Sequence, residues 1–97
     1  MTAMSIIYVL FIKDIISTNL TAKPDIDKIL NEELFYLPYD EIIVDFSGVS
    51  LMSRDFANHY LLNRSKSTKV VHEVNVPLNL QNILDTAVES GNTIINL

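Results

Sequence analysis

The alternation of two hydrophobic patterns constrains this chain most. Three short apolar runs typical of β-strands, Ile6–Ile12, Glu41–Phe46 and Val70–Val76, alternate with segments whose apolar residues recur at helical spacing. Strands that alternate with helices favour a mainly parallel sheet with right-handed crossovers. We therefore predict a single α/β domain over residues 1–97, with about three helices and a mixed, mainly parallel sheet of four or five strands.

The strand predictions differ in their expected environment. Ile6–Ile12 is apolar without alternation, which is typical of a strand that is covered on both faces. Glu41–Phe46 is predicted as the central strand. Two further segments, Ile15–Ser17 and Thr93–Leu97, are predicted as short strands, the second at an edge of the sheet. Asn63–Lys69 is polar and is predicted as a loop.

Local signals place the helices. We expect them to begin near Pro24, Ser53 and Pro77, since proline fits a first helical turn and a serine hydroxyl can cap one. Asn75 is predicted to cap the third helix. Gly91 is predicted to end it, because glycine commonly follows the last helical residue.

The composition narrows the functional classes. The chain has no cysteine, which excludes disulfides, thiolate metal sites and a cysteine nucleophile. Its net charge of −5 argues against nucleic acid as a partner, because phosphate binding needs a basic surface. No apolar run approaches the length of about 20 residues that a membrane-spanning helix needs, and we identify no targeting segment. We therefore expect a cytoplasmic protein that does not bind membranes.

Catalytic and cofactor-binding patterns are missing from the sequence. Neither His59 nor His72 is predicted at a strand end, where a catalytic base would be expected, so we assign both to structural or surface roles. The sequence contains neither a Walker-type phosphate loop nor the GxGxxG motif. Two histidines without cysteines make a poor zinc site. We predict a protein that is not an enzyme and needs no cofactor.

One polar cluster is predicted at a functional position. Ligands of open parallel sheets bind beyond the carboxyl ends of the strands, and the candidate partner-binding residues follow the central strand in this place. These residues are Asp45, Ser47, Ser50, Ser53, Arg54 and Asp55. The alternative interpretation is local: Asp45 and Ser47 stabilise the turn, and Ser53 caps the next helix.

The segment from Ile42 to Asn58, IIVDFSGVSLMSRDFAN, resembles the STAS-like domains of unknown function. The shared features are an apolar strand that ends in Asp-Phe-x-Gly-Val and a serine-bearing helix start followed by Phe-Ala. More distantly, the segment is similar to the anti-sigma factor antagonists of the STAS superfamily. In those antagonists an ATP-binding anti-sigma kinase phosphorylates a serine at the start of the second helix. Arg54 stands at that position here and cannot accept a phosphate.

The resemblance implies a small regulatory domain that binds a protein, such as a histidine-kinase-like ATPase. This is our leading hypothesis, with the contact surface at the start of the second helix and the preceding loop. The first alternative is a nucleotide- or small-ligand-binding domain that uses the strand ends around Asp45 to Asp55. The second alternative is an enzyme with an unrecognised site.

Overall fold

The computed structural model describes residues 7–95, and the side chains of residues 7–87. Five strands and four α-helices lie within this part of the chain. The strands are β1 (Ile7–Phe11), β2 (Asn19–Leu20), β3 (Glu41–Asp45), β4 (Leu51–Met52) and β5 (Val70–Val74). The helices are α1 (Ile12–Ile15), α2 (Ile26–Leu30), α3 (Arg54–Lys66) and α4 (Leu78–Ile95), and a π-type turn over Asn31–Phe35 continues α2.

The strands form two separate parallel sheets. β1, β3 and β5 form the main sheet with β3 in the middle, and Val9, Ile43 and His72 lie side by side in its central row. β2, in the segment after β1, pairs with β4, in the segment after β3, and the two form a separate two-stranded sheet. The α/β class, the parallel pairing and the central place of β3 are confirmed. The prediction of one mixed sheet with four or five strands is wrong, because the two short strands pair only with each other and every described pair is parallel.

One face of the main sheet carries the core. Ile42 and Val44 on β3 are fully buried there, and Leu10 on β1 is 5% exposed. The crossovers from β1 to β3 and from β3 to β5 run in the same direction, so right-handed connections place α2 and α3 on the same side. The hydroxyl of Tyr60 on α3 donates a hydrogen bond of 2.8 Å to Glu73 on this face of β5, as that arrangement requires.

The opposite face is open within the described part of the chain. Its apolar side chains are exposed on both outer strands: Ile7 and Val9 by 49%, Phe11 by 42% and Val70 by 55%. The prediction that the first strand is covered on both faces is therefore wrong. β1 lies at an edge of the sheet, and α2 and α4 pack against α3 on the other side.

Several predicted boundaries are also wrong. The first strand ends at Phe11, and Ile12 begins the single helical turn α1. Because α1 also contains Ile15, the predicted short strand Ile15–Ser17 does not form. α3 extends through Arg64 to Lys66, into the predicted loop Asn63–Lys69. Ile6 lies outside the described residues.

The third helix is longer than the sequence pattern suggested. α4 passes through Gly91 and includes Thr93, so Gly91 does not end it and Thr93–Ile95 is helical rather than a strand. A glycine within a helix costs only about 1 kcal/mol relative to alanine, which is too little to end a helix by itself. Asn96 and Leu97 lie outside the described residues. The predicted helix starts near Pro24, Ser53 and Pro77 agree with the observed starts within two residues.

After α2, the chain continues as a π-type turn instead of a regular α-helix. The Tyr36 N–H donates to the Asn31 carbonyl, five residues earlier, at 2.6 Å. The additional residue in this turn brings the consecutive side chains Leu34 and Phe35 both into the core. The preceding residue, Glu33, remains exposed.

Candidate functional site

The candidate site lies where the three main strands end. Lys13 follows β1, Asp45 is the last residue of β3, and Asn75 follows β5. The carboxyl ends of parallel strands meet at one edge of the sheet, which is the usual ligand-binding edge of open α/β folds. Asp45 lies at the centre of this edge and is 9% exposed.

Neighbouring residues satisfy the Asp45 carboxylate with several hydrogen bonds. Its Oδ1 atom accepts from the backbone N–H of Ser47 at 2.8 Å and from the Ser47 hydroxyl at 2.5 Å. The side-chain amide of Asn75 donates to both carboxylate oxygens, at 3.2 and 3.1 Å. The carboxylate thus joins the turn after β3 to the loop after β5.

These contacts favour the ionised form of Asp45. The Ser47 hydroxyl bond is the main cause that lowers its pKa, and the Ser47 backbone N–H, Asn75 and the positive charge of Lys13 act in the same direction. Burial opposes them, because a partly desolvated carboxylate is less stable. Asp45 is therefore a hydrogen-bond acceptor at neutral pH, and its acceptor positions are largely used within the chain.

Two backbone conformations shape this edge. Gly48 has φ +81°, and a Cβ atom there would lie 3.1 Å from the Lys13 Cδ atom, so the Lys13 side chain crosses directly over the turn. Asn75 has φ +55°, which is uncommon for a residue other than glycine although asparagine tolerates it. Here the left-handed backbone directs the Asn75 side chain to Asp45, so the predicted capping role of Asn75 is wrong.

The loop between β3 and α3 is fixed by backbone hydrogen bonds to the segment around β2. The N–H groups of Ser50 and Leu51 donate to the Thr18 carbonyl at 2.8 and 3.3 Å. The Ser53 N–H donates to the Leu20 carbonyl at 2.8 Å. The loop is therefore held at its middle and at its end, while the Ser50 side chain and Leu51, 49% exposed, face solvent.

The start of α3 completes the surface. The Ser53 hydroxyl accepts from the Phe56 N–H at 3.0 Å, which confirms the predicted cap. Arg54 and Asp55 occupy the first turn, are exposed, and form no ion pair with another described side chain. Of the six residues predicted together, only Asp45 and Ser47 are joined by hydrogen bonds, and the other four follow in sequence along the loop and helix start.

Sequence reasoning missed two members of this edge. Lys13 and Asn75 lie beside Asp45 because β1 and β5 flank β3 and run parallel to it. A signal was available: once three strands are predicted parallel, the residues after each of them must share one edge. The sequence pattern instead indicated a helix cap for Asn75.

A second polar cluster joins α2 to α3 away from this edge. His59 Nδ1 lies 2.8 Å from Asp27 Oδ1, and the Asn63 amide donates to the same oxygen at 2.8 Å. Asn31 donates to Asn63 Oδ1 at 2.9 Å. The His59 and Asn63 hydrogen bonds are the main causes that lower the Asp27 pKa. These hydrogen bonds fasten α2 and the following turn to α3.

Two further polar features are a buried tyrosine hydroxyl and a pocket beside it. Tyr60 is fully buried, and burial raises its pKa well above the usual value, with the negative charge of Glu73 adding to the effect. Glu73 also accepts from Arg64 at 3.3 Å. Arg64, Glu73 and Asn75 help to line a pocket of about 330 Å³ between α3, β5 and α4.

The described residues contain no group of three potential metal ligands and no helix that is long and apolar enough to cross a membrane. His72, in the middle of β5, bonds to Glu41 at 2.6 Å on the open face of the sheet.

No protein-family model, curated protein or solved structure matches the chain.

Proposed function

We propose that this chain is a non-catalytic regulatory domain of STAS-like type, which acts in the cytoplasm by binding a protein partner. The contact surface comprises the loop Ser47–Met52 and the helix start Ser53–Asp55, together called the loop–helix surface below. The partner class that the resemblance suggests is an ATP-binding, histidine-kinase-like regulatory protein. The resemblance is carried by one segment, Ile42–Asn58, and the proposed surface lies entirely within it.

The rigid presentation of exposed side chains is the observation that supports this surface best. Hydrogen bonds from Ser50, Leu51 and Ser53 to the segment around β2 fix the loop backbone. A preorganised loop loses little conformational entropy when a partner binds. Exposed residues on a fixed backbone therefore suit recognition better than the same residues on a flexible loop.

The chemistry of the surface describes the partner. Leu51 offers an exposed apolar side chain, and Arg54 offers a guanidinium that can bind a carboxylate through two hydrogen bonds. Arginine in a first helical turn opposes the helix dipole, at a cost of about 0.3–1 kcal/mol when exposed. A residue that is unfavourable for its own helix supports a role in binding. The matching partner surface would carry an apolar pocket beside an acidic group.

Reversal of the Arg54 charge tests the proposal. Partners would be captured from the native cell with the wild-type chain, and their affinities for Arg54→Glu would then be measured by calorimetry. We expect affinity to fall about tenfold or more, which corresponds to 1.4 kcal/mol or more, while the melting temperature stays equal or rises slightly. Lys23→Glu is the matched control, because Lys23 is also exposed near a helix start. Equal affinity of Arg54→Glu and wild type at equal stability would contradict the proposal.

A small-ligand-binding domain is the second candidate function. The pocket between α3, β5 and α4 supports it, since Asn75 lines the pocket and also bonds to Asp45. A ligand that binds only the native state raises the melting temperature. Thermal melting with ATP and with GTP therefore tests this alternative, and an unchanged melting temperature with both nucleotides would count against it.

A further inference from the structure

The open face of the main sheet is an apolar surface without a partner in the described part of the chain. Four of its side chains are between 42% and 55% exposed, and two more, Ile43 and Val74, are half-buried. These residues share one face because side chains alternate along each strand and the strands are in register. We use the name open face for this surface, which also carries the paired side chains Glu41 and His72. Its apolar members are Ile7, Val9, Phe11, Ile43, Val70 and Val74.

Such a face is unusual for a parallel sheet. Parallel sheets occur almost only with both faces covered, whereas antiparallel sheets often leave one face to solvent. β1 is also an edge strand whose five residues, Ile7–Phe11, include no charge and no proline, although these are the usual protections of an exposed edge. The apolar sequence of β1 is typical of a strand that is covered on both faces. Within one copy of the described chain, only one of its faces is covered.

We propose that a second copy of this chain covers the open face, with the two sheets packed face to face about a twofold axis. The inference is independent of the proposed partner, which would bind the loop–helix surface at another part of the molecule. The open face with its polar margins exposes on the order of 500 Å² per copy, so a dimer would bury on the order of 1,000 Å², which reaches the lower limit for a specific interface. Side-by-side pairing of two β1 edges would leave both open faces in solvent.

The distribution of charge along the strands suits this arrangement. Glu41 lies at the amino end of β3 and bonds to His72 of the central row, whereas Asp45 ends β3 and Lys13 follows β1 at the carboxyl ends. A twofold axis that lies in the plane between the two sheets and perpendicular to the strands sets the strands of the two copies antiparallel. The Glu41 end of each copy then faces the Lys13 end of the other. The acidic groups on this face have partners within their own copy, since Glu41 bonds to His72 and Asp45 is covered by Ser47 and Asn75.

A lysine placed on the open face should separate the copies. Val9 lies in the central row and is 49% exposed, so Val9→Lys removes little packing within one copy. The full chain would be measured by sedimentation velocity over a wide concentration range. We expect a concentration-dependent dimer for wild type and a monomer for Val9→Lys. Leu62→Lys is the matched control, because Leu62 is 53% exposed on α3, away from the sheet, and it should dimerise like wild type.

A cross-linking experiment keeps the proposal falsifiable if Val9→Lys does not fold. The chain has no cysteine, so Ile43→Cys introduces a single thiol at the centre of the open face. Stacked sheets lie about 10 Å apart, so a short bis-maleimide should join two Ile43→Cys copies, whereas Leu62→Cys copies should remain unlinked. A wild-type chain that is monomeric at all concentrations would overturn the proposal. A dimer that persists in Val9→Lys, or equal cross-linking of both cysteine variants, would also overturn it.

Discussion

The two faces of the main sheet differ sharply although the same three strands build both. On the helix-covered face, Ile42 and Val44 are fully buried, while Val9 and Val70 on the open face are about half exposed. All these side chains are β-branched and aliphatic, so residue type does not distinguish the two environments. The difference arises from topology: two right-handed crossovers that run in the same direction place their helices on one side.

This difference separates what stabilises one copy from what is available for association. Side chains on the helix-covered face contribute their burial to folding itself. Side chains on the open face contribute little until something covers them, because the hydrophobic gain scales with the area removed from water. Substitutions on the two faces should therefore have opposite signatures: loss of stability on one face, and loss of association on the other.

The largest contrast is expected for one substitution made on both faces. Ile42→Ala should lower the free energy of unfolding by about 2–5 kcal/mol, because it removes buried methyl groups and leaves a cavity. Ile7→Ala, on a side chain that is 49% exposed, should cost less than about 0.5 kcal/mol. Urea denaturation at a protein concentration low enough to keep the chain monomeric measures both values. Similar losses for the two variants would show that the open face is already covered within a single copy.

A polar pair on the helix-covered face provides the next test. The Tyr60 hydroxyl donates to the Glu73 carboxylate at 2.8 Å in a buried position. Tyr60→Phe should lower stability by roughly 1.5–3 kcal/mol, the usual range for a hydrogen bond to a charged group. Tyr36→Phe is the matched control, since Tyr36 is 84% exposed, and it should be neutral. A neutral Tyr60→Phe would mean that Arg64 alone satisfies Glu73.

The same pair predicts a pH dependence in alkaline solution. Burial raises the pKa of folded Tyr60 well above 10, so the unfolded chain ionises first as the pH increases. The stabilising contribution is therefore complete below pH 10 and is lost as the pH rises above that value. The stability difference between wild type and Tyr60→Phe should shrink correspondingly. Denaturation curves recorded at several alkaline pH values measure this difference, and a constant difference would contradict the assignment.

Much of the fold follows from the sequence because its signals are local. Hydrophobic periodicity locates β3 and β5, Pro24 and Pro77 mark the starts of α2 and α4, and the Ser53 cap marks the start of α3. The openness of one face could not be predicted, since the apolar run of β1 has the same pattern whether helices or a second chain cover it. The short strands β2 and β4 were also missed, because two residues carry no readable period and pair only through the tertiary fold.

The candidate site was predictable in part for the same reason. The contact between Asp45 and Ser47, and the Ser53 cap, involve residues two or three positions apart, so turn chemistry alone predicts them. Asn75 reaches Asp45 across 30 residues of sequence, and its left-handed backbone is not encoded by any local pattern. Long-range partners of this kind require the strand order, which the sequence pattern leaves open.

The smallest effect on stability is expected at Asp45, an acidic side chain that lies on the same side of the sheet as the open face but is buried. Asp45 continues the row of Ile43, but Ser47 and Asn75 cover it, so this end of the face is closed. Asp45→Asn should cost about 1 kcal/mol at pH 7, because an amide accepts the Ser47 hydrogen bonds less strongly than a carboxylate. Asp40→Asn, on an exposed residue just before β3, is the control and should be neutral.

The pH dependence of the Asp45→Asn effect identifies its cause. The hydrogen bonds of Ser47 lower the pKa of folded Asp45, so the folded chain holds its charge at pH values where the unfolded chain is already protonated. The stabilisation is therefore present above the unfolded pKa of about 4 and is lost as the pH falls through the lowered folded pKa. Denaturation curves of wild type and Asp45→Asn should converge in this acidic range. A difference that persists there would show that Asp45 acts through its shape and packing, and that the closed end of the open face does not depend on its charge.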